Sequence, residues 1–323
     1  MANAEEKEMK INIEVSKTMG FADFLNSMRS SRCKKAYEND PIMSKKTEIM
    51  DSAYETLQPL FSADANAQTG ERFTSLALKV ATGQLDPNNT IEDFCNQMNE
   101  LLAPDSMTPE QRESMMTLYG VYSDFFDAHE DGLRMKMENS ITNENEEKIE
   151  ETLQDAADFI GYDIPEDYET GAVIFPMPAG FPPHGRSVEN NEGSRTQLVA
   201  IPIDSRNEPE QTLITIVHED VHKLFYDSGR CDALENELGK DDFNLLNEGI
   251  AVAFQDDFCD KAGIKSRPYG VDSIDAEAQR LEKYIQKGEK LFGDDGKLSP
   301  GIKTPEKNVN PILSQKLQEG LTQ

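Results

Sequence analysis

Thr212-Leu-Ile-Thr-Ile-Val-His-Glu-Asp-Val-His-Lys-Leu-Phe-Tyr226 is the stretch on which the fold turns. It sets His218 and His222 four residues apart around Glu219, Asp220 and Val221, and these two are half of the four histidines in the chain. As a helix, the segment brings both imidazoles to one face about 6 Å apart along the axis, close enough to share one ion. As a strand it also puts them on one face, but about 13 Å apart, too far for a single zinc. The β-branched run at 214–217 favours strand locally. Against it stand Pro209, suited to a first helical turn, Glu208 and Glu210 beside it, suited to the positive end of a helix, and Asn207 as a cap. The segment is expected to be helical.

Two imidazoles do not make a good zinc site; a third protein ligand is needed, with the fourth position left to water. Leu245-Leu246-Asn247-Glu248-Gly249-Ile250-Ala251-Val252-Ala253-Phe254 offers one, a carboxylate in a largely apolar helix. Burying an ionised Glu248 alone is very unfavourable, and coordination to a divalent cation offsets that. Gly249 and Ala251 are small enough to let this helix approach the first. Blander readings compete. His218 and His222 can be helical histidines that bind nothing, and Glu248 shares a side of its helical wheel with Asn244 and Gln255, so it can face water. A purely structural zinc is disfavoured, because no Cys pair is available to close such a site. Cys231 and Cys259 read as small buried residues, and His129 and His184 as incidental.

The pairing of His-Glu-x-x-His with a downstream glutamate resembles the gluzincin metallopeptidases, of the peptidase MA-like superfamily. Asn247-Glu248-Gly249-Ile250-Ala251 looks like the Asn-Glu-Gly-x-Ala helix of zinc aminopeptidases and their relatives. The resemblance covers roughly residues 195–260. It implies one Zn2+ held by His218, His222 and Glu248, Glu219 as general base, and hydrolysis of a peptide or protein substrate. This chain departs from the family in carrying charges at Asp220 and Lys223 and in a longer gap between His222 and Glu248, which a polar, loop-like insertion at 229–241 absorbs. No Gly-x-Met-Glu-Asn strand precedes the motif; Met137-Glu138-Asn139 falls in a helical region. Exopeptidase specificity is therefore unsupported and an endopeptidase is expected. Tyr226, Tyr269, Tyr284 and His184 are all chemically capable of stabilising an oxyanion. The resemblance also makes the strand around 197–203 the edge for an extended peptide to pair with. The competing class is a non-catalytic interaction protein carrying a degenerate zincin module.

Charge narrows the partners. The 323 residues hold 61 Asp and Glu against 32 Lys and Arg, a net charge of −29. Such a chain repels phosphate backbones and anionic lipid, so nucleic-acid and membrane partners are not expected. No apolar run approaches the roughly 20 residues that span a bilayer. The first ten residues lack the apolar core of a Sec signal peptide, and the four cysteines include no Cys-x-x-Cys pair. Both point to the cytoplasm, although export by a non-Sec route would leave the same N-terminus.

The remaining sequence reads as α+β and predominantly helical. A helical N-terminal region is expected at 1–160, a zincin-like domain with a small sheet and an active-site helix at 161–292, and a polar tail at 293–323. Helical spacing recurs around 21–37, 44–61, 72–82, 91–102 and 144–160, with turns at Asn39-Asp40-Pro41, Asp86-Pro87-Asn88-Asn89 and Ala103-Pro104-Asp105. Thr108-Pro109-Glu110-Gln111 carries a hydroxyl cap, a Pro at the first helical position and a Gln at the capping-box site, and starts a helix to about Met137. Short strands are expected at 172–175 and 197–203, and further helices near 208–226, 243–259 and 274–291.

Overall fold

The side chain of Thr108 accepts a hydrogen bond from the amide of Gln111 at 3.2 Å, and the Gln111 side chain accepts one from the amide of Thr108 at 2.9 Å. This reciprocal cap opens the longest helix, and Gly120 and Gly132 leave it unbroken. The structure is a computed structural model. It describes residues 10–62, 72–83, 90–102, 107–166, 168–180, 184–189, 195–203, 209–266, 268–293, 296–300 and 302. Their order is β1 (Lys10–Val15), α1 (Lys17–Ser27), α2 (Ser31–Asn39), α3 (Thr47–Ser62), α4 (Phe73–Thr82), α5 (Ile91–Leu102), α6 (Pro109–Ser140), α7 (Asn143–Ile160), β2 (Glu169–Met177), β3 (His184–Glu189), β4 (Arg195–Pro202), α8 (Pro209–Asp227), α9 (Cys231–Leu238), α10 (Lys240–Ala262) and α11 (Asp272–Ile285). The class is α+β, predominantly helical with a small mixed sheet. The turns expected at 86–89 and 103–105 and the Asn207 cap lie outside the described residues.

The sheet order is β1-β2-β4-β3. β2 and β4 run parallel, with Val173 opposite Leu198, while β3 and β4 run antiparallel, with Arg186 opposite Leu198. β4 therefore has a strand on each side. The expectation of a peptide-pairing edge at 197–203 fails, because its backbone donors and acceptors are already engaged; among the described strands the edges are β1 and β3. β1 and β3 are additions to the expected strands. In β1, Ile11, Ile13 and Val15 alternate with polar residues as a strand requires, whereas His184–Glu189 has no such alternation.

The chain divides into two compact units that interleave along the sequence instead of parting near residue 160. Among the described residues, one takes those within 10–13, 138–172 and 209–302, and the other those within 14–137 and 173–203. Each has its own core. In the first unit α7 turns Ile149, Leu153, Ala156, Ala157 and Ile160 into a cluster with Leu213, Val217, Val221 and Phe254. In the second, Phe21, Phe24, Tyr122 and Phe125 from α1 and α6 gather with Val173, Phe175, Leu198 and Ala200 of the sheet. α7 is thus a core element of the unit that carries α8 and α10, although it falls within the stretch that reads as the N-terminal region. Residues expected at the start of the polar tail are packed into the first core. Leu298 and Ile302 are buried in the first core, Phe292 bridges to Leu298, and Arg280 donates to the Ile302 carbonyl at 3.3 Å. Residues 303–323 lie outside the described residues.

Candidate metal centre

α8 is a helix for the reason its composition suggests: Pro209 opens it, and Leu213, Val217, Val221 and Leu224 make a buried stripe against α7 and α10. The strand tendency of 214–217 is overridden by this packing. On another side of α8, His218, Glu219 and His222 are buried, each less than a tenth exposed. α10 runs past and presents Glu248. The Nε2 atoms of His218 and His222 are 3.1 Å apart, and the Glu248 carboxylate oxygens lie 3.6 Å from His218 Nε2 and 3.7 Å from His222 Nε2. All three donor atoms fall within 4.8 Å of one another. Zinc ligands about 2 Å from their ion stand roughly 3.3 Å apart at tetrahedral angles, so this spacing suits a shared cation. Glu248 Oε2, on the side of the imidazoles, is buried without a hydrogen-bond partner, as expected of a ligand set built around something other than its own members, while His218 Nδ1, on the far edge of its ring, also has none. The group could hold a metal ion.

Electrostatics agree with that reading. Burial works against charge on His222, but the Glu248 carboxylate, helped by Glu219, lifts its pKa to about 9. Burial likewise pushes Glu248 up, yet the two imidazoles outweigh it and hold the carboxyl well below its usual range. The cluster is a place where positive charge is favoured.

Asn247 completes the arrangement and has no assigned role in the sequence reading. Its Oδ1 lies 3.0 Å from His222 Nδ1, and its Nδ2 donates to the Tyr226 hydroxyl at 3.4 Å. With the amide turned this way, Oδ1 accepts the proton of His222 Nδ1 and leaves Nε2 as a lone pair aimed into the cluster. The only sign of this in the sequence is the position of Asn247 next to Glu248; its partner lies 25 residues away.

The four oxyanion candidates separate. The Tyr269 ring stacks on His218 with centroids 5.5 Å apart and planes 12° apart; the residue as a whole is 43 % exposed, but desolvation of its hydroxyl, followed by the charge of Glu248 and a hydrogen bond to it, raises the phenol pKa. Its loop is held by Asp275, whose carboxylate accepts from the amides of Tyr269 at 2.8 Å and Gly270 at 3.2 Å. The Tyr226 hydroxyl meets the side chain of Asn247, next to Glu248. Tyr284 lies beneath the charged ends of Arg280 and Lys287. His184 belongs to the other unit, where it lines a small cavity with Asp23 and Tyr37.

Other sequence expectations need correction. Gly249 faces α11 and not α8: a Cβ there would stand 2.6 Å from Cγ of the buried Glu277. The stretch 229–241 is not a plain loop, since α9 occupies Cys231–Leu238 and buries Cys231 and Leu234. Glu248 turns to the imidazoles, away from the solvent-facing alternative. Among the described residues no helix is long and apolar enough to cross a membrane. Searches of protein-family models, curated proteins and solved structures return no match to this chain.

Proposed function

We propose that this chain is a zinc-dependent peptidase of the gluzincin kind, acting within peptide chains. The observation that carries the reading is the convergence of His218 Nε2, His222 Nε2 and the Glu248 carboxylate, with Glu219 buried beside them on the same helix. Two imidazoles and a carboxylate are a donor set that suits zinc and leaves a position open. A zinc ion bound there would supply Lewis acidity toward water and a peptide carbonyl. Glu219 takes a proton from the attacking water and delivers it to the departing amine nitrogen. Tyr269, stacked on His218, is the donor for the carbonyl oxygen as it gains negative charge. Asn247 holds His222 in the tautomer that leaves Nε2 free.

The test has two arms. The purified chain is expected to take up one equivalent of zinc in equilibrium dialysis and to cleave internal bonds in a broad peptide library. Glu219→Gln is expected to keep the zinc and lose activity by about 100- to 10,000-fold. Stoichiometric zinc without turnover across the library favours a non-catalytic interaction module, and no uptake at micromolar zinc overturns both versions.

A further inference from the structure

Asp220 and Lys223 are the two charges that set this motif apart from the gluzincin pattern it resembles, and both point away from the side of α8 that carries His218 and His222. With 3.6 residues per turn, they project well round the helix from His218 and His222. Both reach the start of β2. Asp220 is fully buried, and its Oδ1 accepts the Gly171 amide proton at 3.2 Å. Gly171 lies close against β1: its φ is +125°, and a Cβ there would fall 1.9 Å from the Asn12 carbonyl oxygen. Lys223 donates to the Tyr168 hydroxyl at 3.2 Å and pairs with Asp227 at 2.6 Å, while Tyr168 donates to Asp227 at 3.1 Å. The Lys223 ammonium also stands 4.3 Å from the centre of the Tyr168 ring.

Packing alone does not explain this choice. A carboxyl with no exposed surface carries a desolvation cost that an apolar side chain would avoid, even with the Gly171 amide and the Thr170 hydroxyl beside it. What a carboxylate adds over an apolar residue is direction: it grips one amide on a segment packed closely against β1. We propose that Asp220 and Lys223 are positioning residues, a clamp between α8 and residues 168–171 that sets the rotation of the helix and so aims His218, His222 and Glu219. This rests on the metal-site reading above.

The experiment uses the full chain loaded with Co2+, whose visible absorption reports ligand geometry, together with zinc affinity by chelator competition and hydrogen exchange at the Gly171 amide. Asp220→Leu is expected to speed Gly171 exchange at least tenfold, alter the cobalt spectrum and weaken zinc binding by about 10- to 100-fold, with helix content unchanged. Asp220→Asn keeps an acceptor for Gly171 and is expected to restore both spectrum and affinity. Should Asp220→Leu fail to fold, Lys223→Met, which cuts the other arm, is expected to shift the cobalt spectrum in the same direction. A wild-type spectrum and affinity in Asp220→Leu, or in Lys223→Met where it stands in, overturns the clamp alone. A wild-type chain that binds neither ion overturns the metal site and the clamp with it.

Discussion

His222 depends on a neutral neighbour to be useful. An imidazole whose Nδ1 proton is held by the Asn247 carbonyl offers Nε2 to a cation, and without that partner the two tautomers compete. Asn247→Ala is therefore expected to weaken zinc binding by about 10- to 100-fold while leaving the helices intact, measured by chelator competition and circular dichroism. Two thiols make a different prediction. Burial, followed by the charges of Asp256 and Asp260, pushes Cys259 up to about 12, and burial pushes Cys95 up to about 11, from an ordinary value of 9.0. Their folded-state pKa values exceed the unfolded ones, so the native state holds these protons longer. Their stabilising contribution is complete below about pH 9 and is lost as pH climbs toward 11 to 12. Urea midpoints are expected to fall between about pH 9 and 11, less steeply in Cys259→Ala. At this scale the convergence of His218, His222 and Glu248 was legible, because spacing on two helices brings them together. Asn247 and Tyr269 were not legible in the same way. Which tyrosine lies over His218 depends on how the loop before α11 is held by Asp275, a contact that no local pattern encodes.

Helices were the most readable elements because their signals are local. The Thr108 capping box, the inward stripe of α7 and Pro209 at the start of α8 each state their element in a few residues. Thr108→Ala removes the hydroxyl that caps α6 and is expected to destabilise the chain by about 1 kcal/mol in urea unfolding. What a local reading misses is the neighbour. Gly249 looks like a residue that admits α8, yet it admits Glu277 of α11, whose carboxylate is ion-paired with Arg280. Gly249→Ala is expected to lower stability by about 1–3 kcal/mol, since the crowded atom is near the root of a buried side chain and has little room to give. β3 shows the converse limit. Its polar, half-buried residues pair with β4 through the backbone, and backbone pairing leaves no mark on residue type.

Across the whole molecule the dominant quantity is the net charge of −29. Self-repulsion of this size opposes compaction and is screened over about 10 Å at 0.1 M salt. The melting temperature is therefore expected to rise when sodium chloride goes from 10 to 150 mM at constant pH. Composition makes this effect legible, but not the path of the chain between units. Residues 1–160 read as one helical region, yet they contain α7 without α8 and α10, and α1 and α6 without β4. A fragment ending at 160 is expected to show helical circular dichroism without a cooperative melt.

The interleaving also sets an order of events during synthesis. Ile11 of β1 packs against the core that also holds Ile302, so two residues far apart in the chain must meet to complete that unit. At about 5–20 residues per second, Ile11 waits on the order of tens of seconds for Ile302 to be made. The described residues of the other unit end at Ile203, so the unit that carries α8 and α10 is the later of the two to close.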